Sequence, residues 1–287
     1  MNAVISIRGL SHVYSPKTPF ECSAINDINL DIYAGETLGV IGHTGSGKST
    51  LISHLNGLIK PSSGTILYDG EDIFKSREFT HGIRFKVGLV LQYPEYQLFE
   101  ETVYEDISFG PRNMGLSKDE IDIRVHEAAR FAGLSEDLLP LSPFELSGGQ
   151  KRRVAIAGVI AMRPRVLILD EPTAGLDPIG REDLLAHISR YREETNAAIV
   201  IVSHSMEDIA SIADRLIVMN SGSIMLSGTP SEVFSHSDEL LSAGLDLPQV
   251  THIINELKSR GLSLPGSVYT VEQAVSALLE LRGEKND

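Results

Sequence analysis

The chain has 287 residues, of which 42% are hydrophobic, so it can bury a large core and a smaller second unit. Its 25 basic and 39 acidic side chains give a formal charge of −14, which disfavours attraction to nucleic acids. The single cysteine, Cys22, excludes an internal disulfide and a cysteine-rich metal site. No apolar run approaches the roughly 18 to 20 residues of a transmembrane helix, and the N-terminus lacks the basic segment of a signal peptide. We therefore expect no nucleic-acid partner, and contact with a membrane only through another protein.

The first third of the chain shows the alternation of apolar and polar residues that is typical of antiparallel strands with one solvated face. Strands are predicted over residues 4–8, 28–32 and 65–68. The turn-rich segment 14–20 separates the first two strands and begins with Tyr14. Tyr14 has two interpretations, packing at a strand end or stacking on adenine. An ATP site nearby favours the second interpretation.

A glycine-rich stretch, GHTGSGKST over residues 42–50, follows an apolar run at 38–41 and precedes a helical pattern of apolar residues at 51–59. A strand, a glycine-rich turn and a helix in this order form the context that a phosphate-binding loop requires. Glycines let the backbone wrap tightly and point N–H groups at phosphate oxygens. Lys48 supplies charge for the β- and γ-phosphates, and the Ser49 hydroxyl can bind Mg²⁺. The predicted nucleotide-binding residues of this loop are Gly42, His43, Thr44, Gly45, Ser46, Gly47, Lys48, Ser49 and Thr50.

Apolar runs alternate with helical patterns after residue 86, which predicts a parallel sheet covered on both faces. The apolar runs that predict strands lie at residues 87–91, 166–169 and 198–202. The helical patterns lie at residues 104–109, 118–132, 147–162 and 181–195. The first three helices predict a helical subdomain over about residues 94–162, inserted into the sheet domain.

The pattern changes again in the last fifth of the chain, where two amphipathic helices are predicted. Pro248 opens the first helix, and a capping box of Thr270 with Gln273 opens the second. The predicted organisation is a main domain over residues 1–230 and a helical C-terminal extension over residues 231–287. We expect this extension to be a dimerisation unit.

Two acidic residues, Asp170 and Glu171, directly follow the apolar run at 166–169. A buried strand of this kind delivers its terminal side chains to the crevice where the phosphate loop also opens. Asp170 is then placed to hold Mg²⁺, and Glu171 is placed to polarise an attacking water. The alternative is a pair of solvated acids at a turn, which the preceding apolar strand and the phosphate loop disfavour.

The pentapeptide LSGGQ at residues 146–150 combines a helix start with two glycines. Ser147 is a natural N-cap, and the glycines expose backbone N–H groups to an anion. The pentapeptide alone is also compatible with an ordinary capped helix. Taken together with the phosphate loop, Asp170, Glu171 and His204, it resembles the signature of the ATP-binding cassette (ABC) family over roughly residues 2–230.

This resemblance implies an α/β fold, a P-loop NTPase ABC cassette with a mixed parallel core sheet, an antiparallel β subdomain, an inserted helical subdomain and a small helical C-terminal extension. It also implies that two cassettes face each other head to tail and that each ATP lies between the phosphate loop of one and the signature of the other. The residues expected to contact the nucleotide held by the facing cassette are Ser147, Gly148, Gly149 and Gln150. Asp177 is expected to cross the dimer interface.

The same resemblance assigns two further residues to ATP hydrolysis, with ATP and Mg²⁺ as the implied cofactors. Gln92 is expected to reach Mg²⁺ and the attacking water. His204, directly after the run at 198–202, is expected to contact the γ-phosphate, although a histidine at a strand end is often only structural. The implied activity is hydrolysis of ATP coupled to transport.

Four segments narrow the resemblance to the ATPase subunits of energy-coupling factor (ECF) importers, and in particular to the second of their two ATPase types. They are residues 18–21, 92–102, 142–145 and the C-terminal helices. The resemblance implies a peripheral protein on the cytoplasmic face of the cell membrane. Its implied partners are a second ABC ATPase subunit, a transmembrane scaffold subunit and a substrate-binding membrane subunit. The facing cassette is implied to be a related protein, although the intact motifs of this chain also allow a homodimer.

In ECF importers the scaffold inserts arginine-bearing helices beside the loop that contains Gln92. Glu100 and Glu101 are close to it in sequence and are expected to bind the scaffold, the alternative being solvated charges at a helix start. The implied function is to power the uptake of vitamins or other micronutrients. The alternatives are the ATPase of a dedicated cobalt/nickel or other ABC importer, a non-transport ABC ATPase, and a regulator that binds ATP without cleaving it. Glu171 disfavours the regulator.

Overall fold

The computed structural model describes residues 3–264 and 268–284. Four strands of the N-terminal region form an antiparallel sheet in the order β2-β1-β4-β5. These strands are β1 (Ala3–Tyr14), β2 (Cys22–Tyr33), β4 (Ser63–Tyr68) and β5 (Glu71–Asp72). The pairing of β1 with β2 extends to Tyr14 opposite Cys22, so Tyr14 ends a strand. The predicted turn-rich segment therefore begins one residue later.

A second sheet forms the centre of the molecule, with the strand order β10-β9-β3-β8-β7-β6 in the described residues. Its strands are β3 (Thr37–Ile41), β6 (Val87–Val90), β7 (Val166–Asp170), β8 (Ala198–Val202), β9 (Arg215–Asn220) and β10 (Ser223–Gly228). All neighbouring pairs are parallel except β9 with β10. The apolar runs predict β3, β6, β7 and β8, whereas β9 and β10 are not among the predicted strands.

Helices cover both faces of the central sheet and extend beyond it. They are α1 (Lys48–Leu55), α2 (Arg77–Lys86), α3 (Val103–Asn113), α4 (Lys118–Phe131), α5 (Gly148–Ile160), α6 (Pro178–Thr195), α7 (Met206–Ile212), α8 (Pro230–Ser235), α9 (Ser237–Ser242), α10 (Gln249–Ser259) and α11 (Val271–Glu284). Helix α1 is shorter than the predicted pattern, because Gly57 adopts a φ of +70° directly after it. Neither α2 nor α7 is predicted by the sequence pattern.

The central sheet separates two apolar cores, because successive residues of each strand point to opposite faces. Leu167 and Leu169 of β7 pack with α3, α4, α5 and α6, whereas Val166 and Ile168 pack with α1 and the antiparallel sheet. Each of these side chains is fully buried, which is worth about 1.5–3 kcal/mol per residue. Both cores therefore fix β7, and with it the residues at its carboxyl end.

The C-terminal helices α10 and α11 share a small apolar cluster around Ile254 and Ala274. The predicted capping box is present: Thr270 Oγ1 accepts a hydrogen bond from the Gln273 backbone N–H at 3.3 Å, and Gln273 Oε1 accepts one from the Thr270 N–H at 3.3 Å. Apolar side chains on α11, including Val275 and Leu279, remain exposed. Within the described residues, every helix is too short or too polar to cross a lipid bilayer.

Candidate nucleotide-binding and catalytic site

The loop between β3 and α1 has the tight backbone that the glycine pattern predicts. Gly47 has a φ of +104°, and a β-carbon at this position would lie 2.6 Å from the backbone oxygen of Ala24. A β-carbon on Gly42 would lie 2.5 Å from the backbone oxygen of Met219. Both positions thus require glycine. The cradle begins at the carboxyl end of a buried strand and ends at the N-terminus of α1, which is a suitable place for phosphate.

Lys48 places its ammonium group inside this loop. Its Nζ donates hydrogen bonds to the backbone oxygens of Gly42 at 2.5 Å and His43 at 3.0 Å. Burial lowers the pKa of Lys48, while the nearby carboxyl groups of Glu171 and Asp170 act in the opposite direction. The loop thus holds a positive charge beside two acids, which fits the binding of phosphate oxygens and a cation.

Ser49 and Asp170 meet at the edge of this cradle. Burial raises the pKa of Asp170, while the charge of Lys48 and the nearby Ser49 side chain act in the opposite direction. Hydroxyl and carboxylate oxygens are ligands that Mg²⁺ accepts, and it usually combines one or two protein ligands with phosphate oxygens and water. Among the described residues, no group of three or more acidic, histidine or cysteine side chains forms a metal cage. The donors present therefore fit Mg²⁺ held together with a nucleotide.

Tyr14 lies beside the N-terminus of α1. Its hydroxyl is 3.3 Å from Oγ1 of Thr50, and its ring packs edge-on against His12 with a centroid distance of 4.5 Å. His12 in turn packs against the buried ring of His54 at 4.8 Å. The Tyr14 ring is partly exposed next to the phosphate loop, a position that is compatible with both interpretations of this residue.

Glu171 occupies the carboxyl end of β7 in a left-handed backbone conformation, with a φ of +52°. Its backbone N–H donates to the oxygen of Val202 at 2.9 Å, so the turn after β7 is tied to the end of β8. Its side chain is buried, and Oε1 accepts no hydrogen bond from the described residues. Burial raises the pKa of Glu171 to about 7. A carboxylate with this pKa and a free oxygen is suited to take a proton from water.

His204 lies beside Glu171 because β7 and β8 are neighbours, with Asp170 paired to Val202. Its side chain is 52% exposed. Burial and the charge of Lys48 lower the pKa of His204, so the imidazole is neutral at neutral pH. Its Nε2 lies 3.4 Å from Oε1 of Glu171 and therefore makes a polar contact rather than an ion pair between two full charges.

Gln92 follows the edge strand β6 and is exposed. The register pairs Val90 of β6 with Leu169 of β7, so Gln92 and Glu171 each lie two residues beyond a paired position. The carboxyl ends of β3, β6, β7 and β8 thus bring the phosphate loop, Gln92, Glu171 and His204 to one edge of the sheet. This edge is where ligands bind in open parallel sheets.

The signature residues lie at the N-terminus of α5 and form a capping box. Ser147 Oγ accepts from the Gln150 N–H at 3.3 Å, and Gln150 Oε1 accepts from the Ser147 N–H at 2.9 Å. Ser147 and Gly148 are exposed, and Gly149 is half-buried. In residues 3–264 and 268–284, no hydrogen bond or ion pair links the signature to the phosphate loop. Within one chain the structure therefore does not bring these two predicted halves of the site together.

Asp177 has a structural role that the sequence pattern did not assign. It is the N-cap of α6, and its Oδ1 accepts a hydrogen bond from the Gly180 N–H at 2.7 Å. The residue is exposed at the end of the loop that starts with Glu171. The N-cap leaves its second carboxylate oxygen available to solvent or to a facing chain.

A family model described as ABC transporter matches residues 25–174, just over half of the chain. The chain belongs to the ABC transporter family. The energy-coupling factor transporter ATP-binding protein EcfA2 of Clostridium perfringens is 56% identical over 98% of this chain and 99% of its own length. EcfA2 of Caldanaerobacter subterraneus is 54% identical over 98% of this chain and 99% of its own. These relatives confirm the prediction of an ATP-binding subunit of ECF type.

Solved structures confirm the predicted cassette fold. CbiO1 from Clostridium perfringens, described as part of the ABC transporter complex CbiONQ, has a TM-score of 0.76 and 40% identity, and covers 89% of this chain and 100% of its own. The cassette MJ0796, described as dimeric in a post-hydrolysis state with ADP and Pi, has a TM-score of 0.71 and 27% identity over 79% of this chain and 98% of its own. The chain described here, as an ABC cassette with these relatives, is accordingly an ATPase.

Glu100 is less available to a partner than its sequence position indicates. Its Oε1 lies 2.5 Å from Nη2 of Arg112, and its backbone N–H donates to Oδ2 of Asp106 at 3.2 Å. Asp106 is buried, which raises its pKa, and it also accepts from the Phe99 N–H at 3.3 Å. Glu101 is exposed. The loop that carries both glutamates is thus held in place by Asp106, which sequence reasoning missed.

Two further buried charged residues of the cassette were missed by sequence reasoning, Arg152 on α5 and Asp208 on α7. Arg152 lies on the same helical face as Ile156 and Ile160, at intervals of four residues. A charged residue at a position that the helical period assigns to the apolar face is a sequence signal for a buried ion pair. Both residues contact the loop that follows Glu171.

Proposed function

We propose that this cassette binds Mg²⁺ and ATP at the carboxyl edge of its central sheet and hydrolyses the nucleotide against a facing cassette. The observation that carries the proposal is the convergence of Lys48, Asp170, Glu171 and His204 at the ends of three neighbouring strands. Lys48 and the loop from Gly42 to Thr50 bind the phosphates, and the exposed ring of Tyr14 stacks on adenine.

Glu171 acts as the general base in this proposal. Its Oε1 is free among the described residues, and its pKa of about 7 leaves it able to accept a proton from water at neutral pH. His204 contacts the γ-phosphate and holds the carboxyl group in place. Gln92 orients the attacking water. Ser49, Asp170 and Gln92 would hold Mg²⁺, and the bound ion would neutralise charge on the phosphates.

The facing cassette completes the site. Ser147, Gly148, Gly149 and Gln150 present the N-terminus of α5 to the γ-phosphate bound by the other protomer, and Asp177 lies at the interface. The exposed position of Ser147 and Gly148 supports this sharing, as does the finding that no hydrogen bond of the described residues joins the signature to the phosphate loop. A second ABC ATPase subunit is the proposed partner, and a homodimer is the alternative that the complete set of motifs allows. The exposed apolar side chains of α11 support a role of the C-terminal extension in dimerisation.

A groove that follows the turn after β6 is the proposed docking site for a membrane scaffold subunit. It is lined by the end of α2, by residues 97–99 and by the helices α3 and α5, and Glu100 and Glu101 are the next residues in the chain. Its apolar lining includes Phe85, Leu98, Phe99, Phe109, Val159 and Met162. An amphipathic helix with apolar side chains and arginines fits this groove, because it would bury Phe99 and Phe109 and pair with the two glutamates. Glu101 is the exposed acid, whereas Glu100 would have to exchange Arg112 for the incoming arginine.

The complete transporter in this proposal contains the scaffold and a substrate-binding membrane subunit, with the cassette on the cytoplasmic face of the membrane. Uptake of a vitamin or another micronutrient is the proposed output. The similarity to CbiO1 favours one alternative, the ATPase of another ABC importer that uses the same type of cassette.

Reconstitution tests this function directly. The chain is co-purified from its native membrane with the proteins that bind it, the partners are identified by mass, and the complex is placed in vesicles with Mg²⁺ and ATP. We expect phosphate release that depends on the complex, and no solute uptake when Glu171→Gln replaces the wild-type chain. Recovery of the chain without any membrane protein, together with hydrolysis that no membrane subunit stimulates, would contradict a transport role.

A further inference from the structure

The side chain of Arg152 is buried, with only 5% of the residue's surface exposed. It bridges separate parts of the cassette. It lies on α5, two residues after the signature. Its Nε donates to Oε2 of Glu95 at 3.3 Å, and its Nη2 donates to Oε1 of Glu95 at 3.0 Å. Glu95 lies three residues after Gln92, in the short helical turn that follows β6. The signature helix and the turn after Gln92 are thus joined by a two-pronged ion pair.

The remaining terminal nitrogen of Arg152 reaches a third segment. Its Nη1 donates to the backbone oxygen of Pro172 at 3.3 Å and also to the backbone oxygen of Ala174. These two carbonyl groups belong to the loop that starts with Glu171 and ends with Asp177. One guanidinium therefore contacts the signature helix, the turn after Gln92 and the loop after the general base.

The same loop is held from its other side by Asp208. Thr173 Oγ1 donates to Asp208 Oδ2 at 2.6 Å, and both side chains are buried. Asp208 lies on α7, four residues after His204. The loop is thus fixed between α7 and Arg152, and Arg152 in turn binds Glu95.

The chemistry of this contact requires arginine. A charge in a buried position is costly unless all of its donors are satisfied, and here a planar fork reaches two carboxylate oxygens and two carbonyl oxygens in different directions. A lysine carries one point charge and cannot span these acceptors at the same time. The position therefore selects arginine for its geometry and not only for its charge.

We propose that Arg152 is a positioning residue for hydrolysis, which sets the signature helix and the turn after Gln92 in register with the loop that begins at Glu171. Docking of a partner in the groove lined by Gln97 and Leu98 would then be transmitted through Glu95 and Arg152 to the general base and to the signature. This inference rests on the proposed roles of Gln92 and Glu171. It adds a residue that acts through the three segments it contacts.

The test compares Arg152→Lys, Glu95→Gln and the double variant in the full-length chain, each assembled in the complex that co-purifies with the wild-type chain. Steady-state hydrolysis gives kcat, and calorimetry in a Glu171→Gln background gives the Kd for ATP. We expect each single variant to lower kcat on the order of 10- to 100-fold, because small displacements of catalytic groups have effects of this size. The Kd stays unchanged, because the phosphate loop is untouched. The double variant should lose little more than either single variant, since both changes remove the same contact.

Arg130→Lys is the matched control. Arg130 also bridges two parts of the cassette, since it lies on α4 and pairs with Glu194 on α6 at 3.0 Å, but its side chain is 52% exposed. An exposed ion pair of this kind contributes little free energy, so kcat should change by less than about fivefold when it is altered. Thermal unfolding of all variants shows whether any loss of activity follows a loss of folded protein.

Three outcomes would overturn the proposal: unchanged kcat in Arg152→Lys and Glu95→Gln, additive losses in the double variant, or a loss no larger than that of Arg130→Lys. If Arg152→Lys does not fold, the less buried Glu95→Gln decides alone. These outcomes are distinct from failure of the proposed function, because in that case the complex with the wild-type chain would itself not hydrolyse ATP.

Discussion

His204 contacts the carboxyl group of Glu171 at two points. Its backbone N–H donates to Oε2 at 3.3 Å, and its Nε2 lies 3.4 Å from Oε1. The first contact fixes the orientation of the carboxyl group through the backbone of the β8 terminus. The second involves a neutral imidazole and leaves Oε1 without a strong hydrogen bond. Glu171 and His204, the proposed general base and the proposed γ-phosphate contact, are thus held together by adjacent strands as well as by their side chains.

Glu171→Gln should separate binding from hydrolysis. The amide keeps the size of the side chain and can still accept from the His204 N–H, but it cannot take a proton from water. We expect hydrolysis to fall on the order of a hundredfold or more, with the Kd for ATP retained. Phosphate release and calorimetry measure the two quantities. Glu193→Gln, at an exposed position of α6, is the control and should behave as the wild type. Undiminished turnover of Glu171→Gln would exclude Glu171 as the base.

The pH dependence of hydrolysis should report the Glu171 carboxyl group. Burial raises its pKa to about 7, with Asp170 and Asp208 acting in the same direction and the His204 N–H and Lys48 acting against it. The base is active only when it is ionised. We therefore expect kcat to be low at pH values below about 7, to rise around pH 7 and to level off above it. Initial rates at saturating ATP across the neutral range measure this limb. A rate that stays constant as the pH is lowered from about 8 to about 5, and falls only near the ordinary glutamate pKa of 4.5, would contradict the assignment.

The same raised pKa predicts that Glu171 destabilises the fold when it is ionised. The group releases its proton near 4.5 in the unfolded chain and near 7 in the folded one. Between these values the folded state holds the extra proton, so the contribution of Glu171 to the free energy of unfolding falls as pH rises. Glu171→Gln removes this cost. Its Tm should exceed that of the wild type at about pH 8, and the difference should shrink at about pH 5. Equal Tm differences at the two pH values would show that burial does not shift this carboxyl group.

Local chemistry explains how much of the site could be predicted from the sequence. The phosphate loop needs glycines where side chains would strike Ala24 or Met219, and the strand before it is apolar throughout. The acids after β7 and the capping box at Ser147 likewise follow from residues that are adjacent in the chain. These features can be predicted from the sequence because each depends on residues that lie close together in the chain.

Long-range contacts explain the rest. Arg152 and Glu95 are 57 residues apart, and the carbonyl groups that Arg152 also reaches carry no side-chain signal at all. The ion pair of Glu100 with Arg112 depends on how the loop before α3 folds back on that helix. Strand β9 follows α7, which at seven residues is too short to give a clear helical pattern in the sequence, and β10 returns antiparallel to β9 after a short turn.

Lys48→Ala should weaken the binding of ATP itself. The ammonium group is buried in the loop and already oriented by two backbone oxygens, so phosphate oxygens would gain charge-assisted hydrogen bonds from it. We expect the Kd for ATP to rise on the order of tenfold or more. Calorimetry with Mg²⁺ present measures the change, and Lys60→Ala, an exposed position after α1, is the control. An unchanged Kd in Lys48→Ala would count against the phosphate-loop assignment.

Charge reversal beside the groove tests the docking of the membrane scaffold. Glu101→Arg removes an exposed acid that forms no ion pair with the described residues. Glu100→Arg also breaks the ion pair with Arg112 and places two arginines side by side. We expect both variants to lose co-purification with the membrane subunits and to keep the wild-type Kd for ATP, because the groove is separate from the phosphate loop. Asp119→Arg, an exposed position at the start of α4, controls for the change in net charge. If Glu101→Arg still co-purifies while Glu100→Arg does not, the effect belongs to the Arg112 pair and Glu101 has no role in docking. If both variants remain in the complex, neither glutamate binds the scaffold.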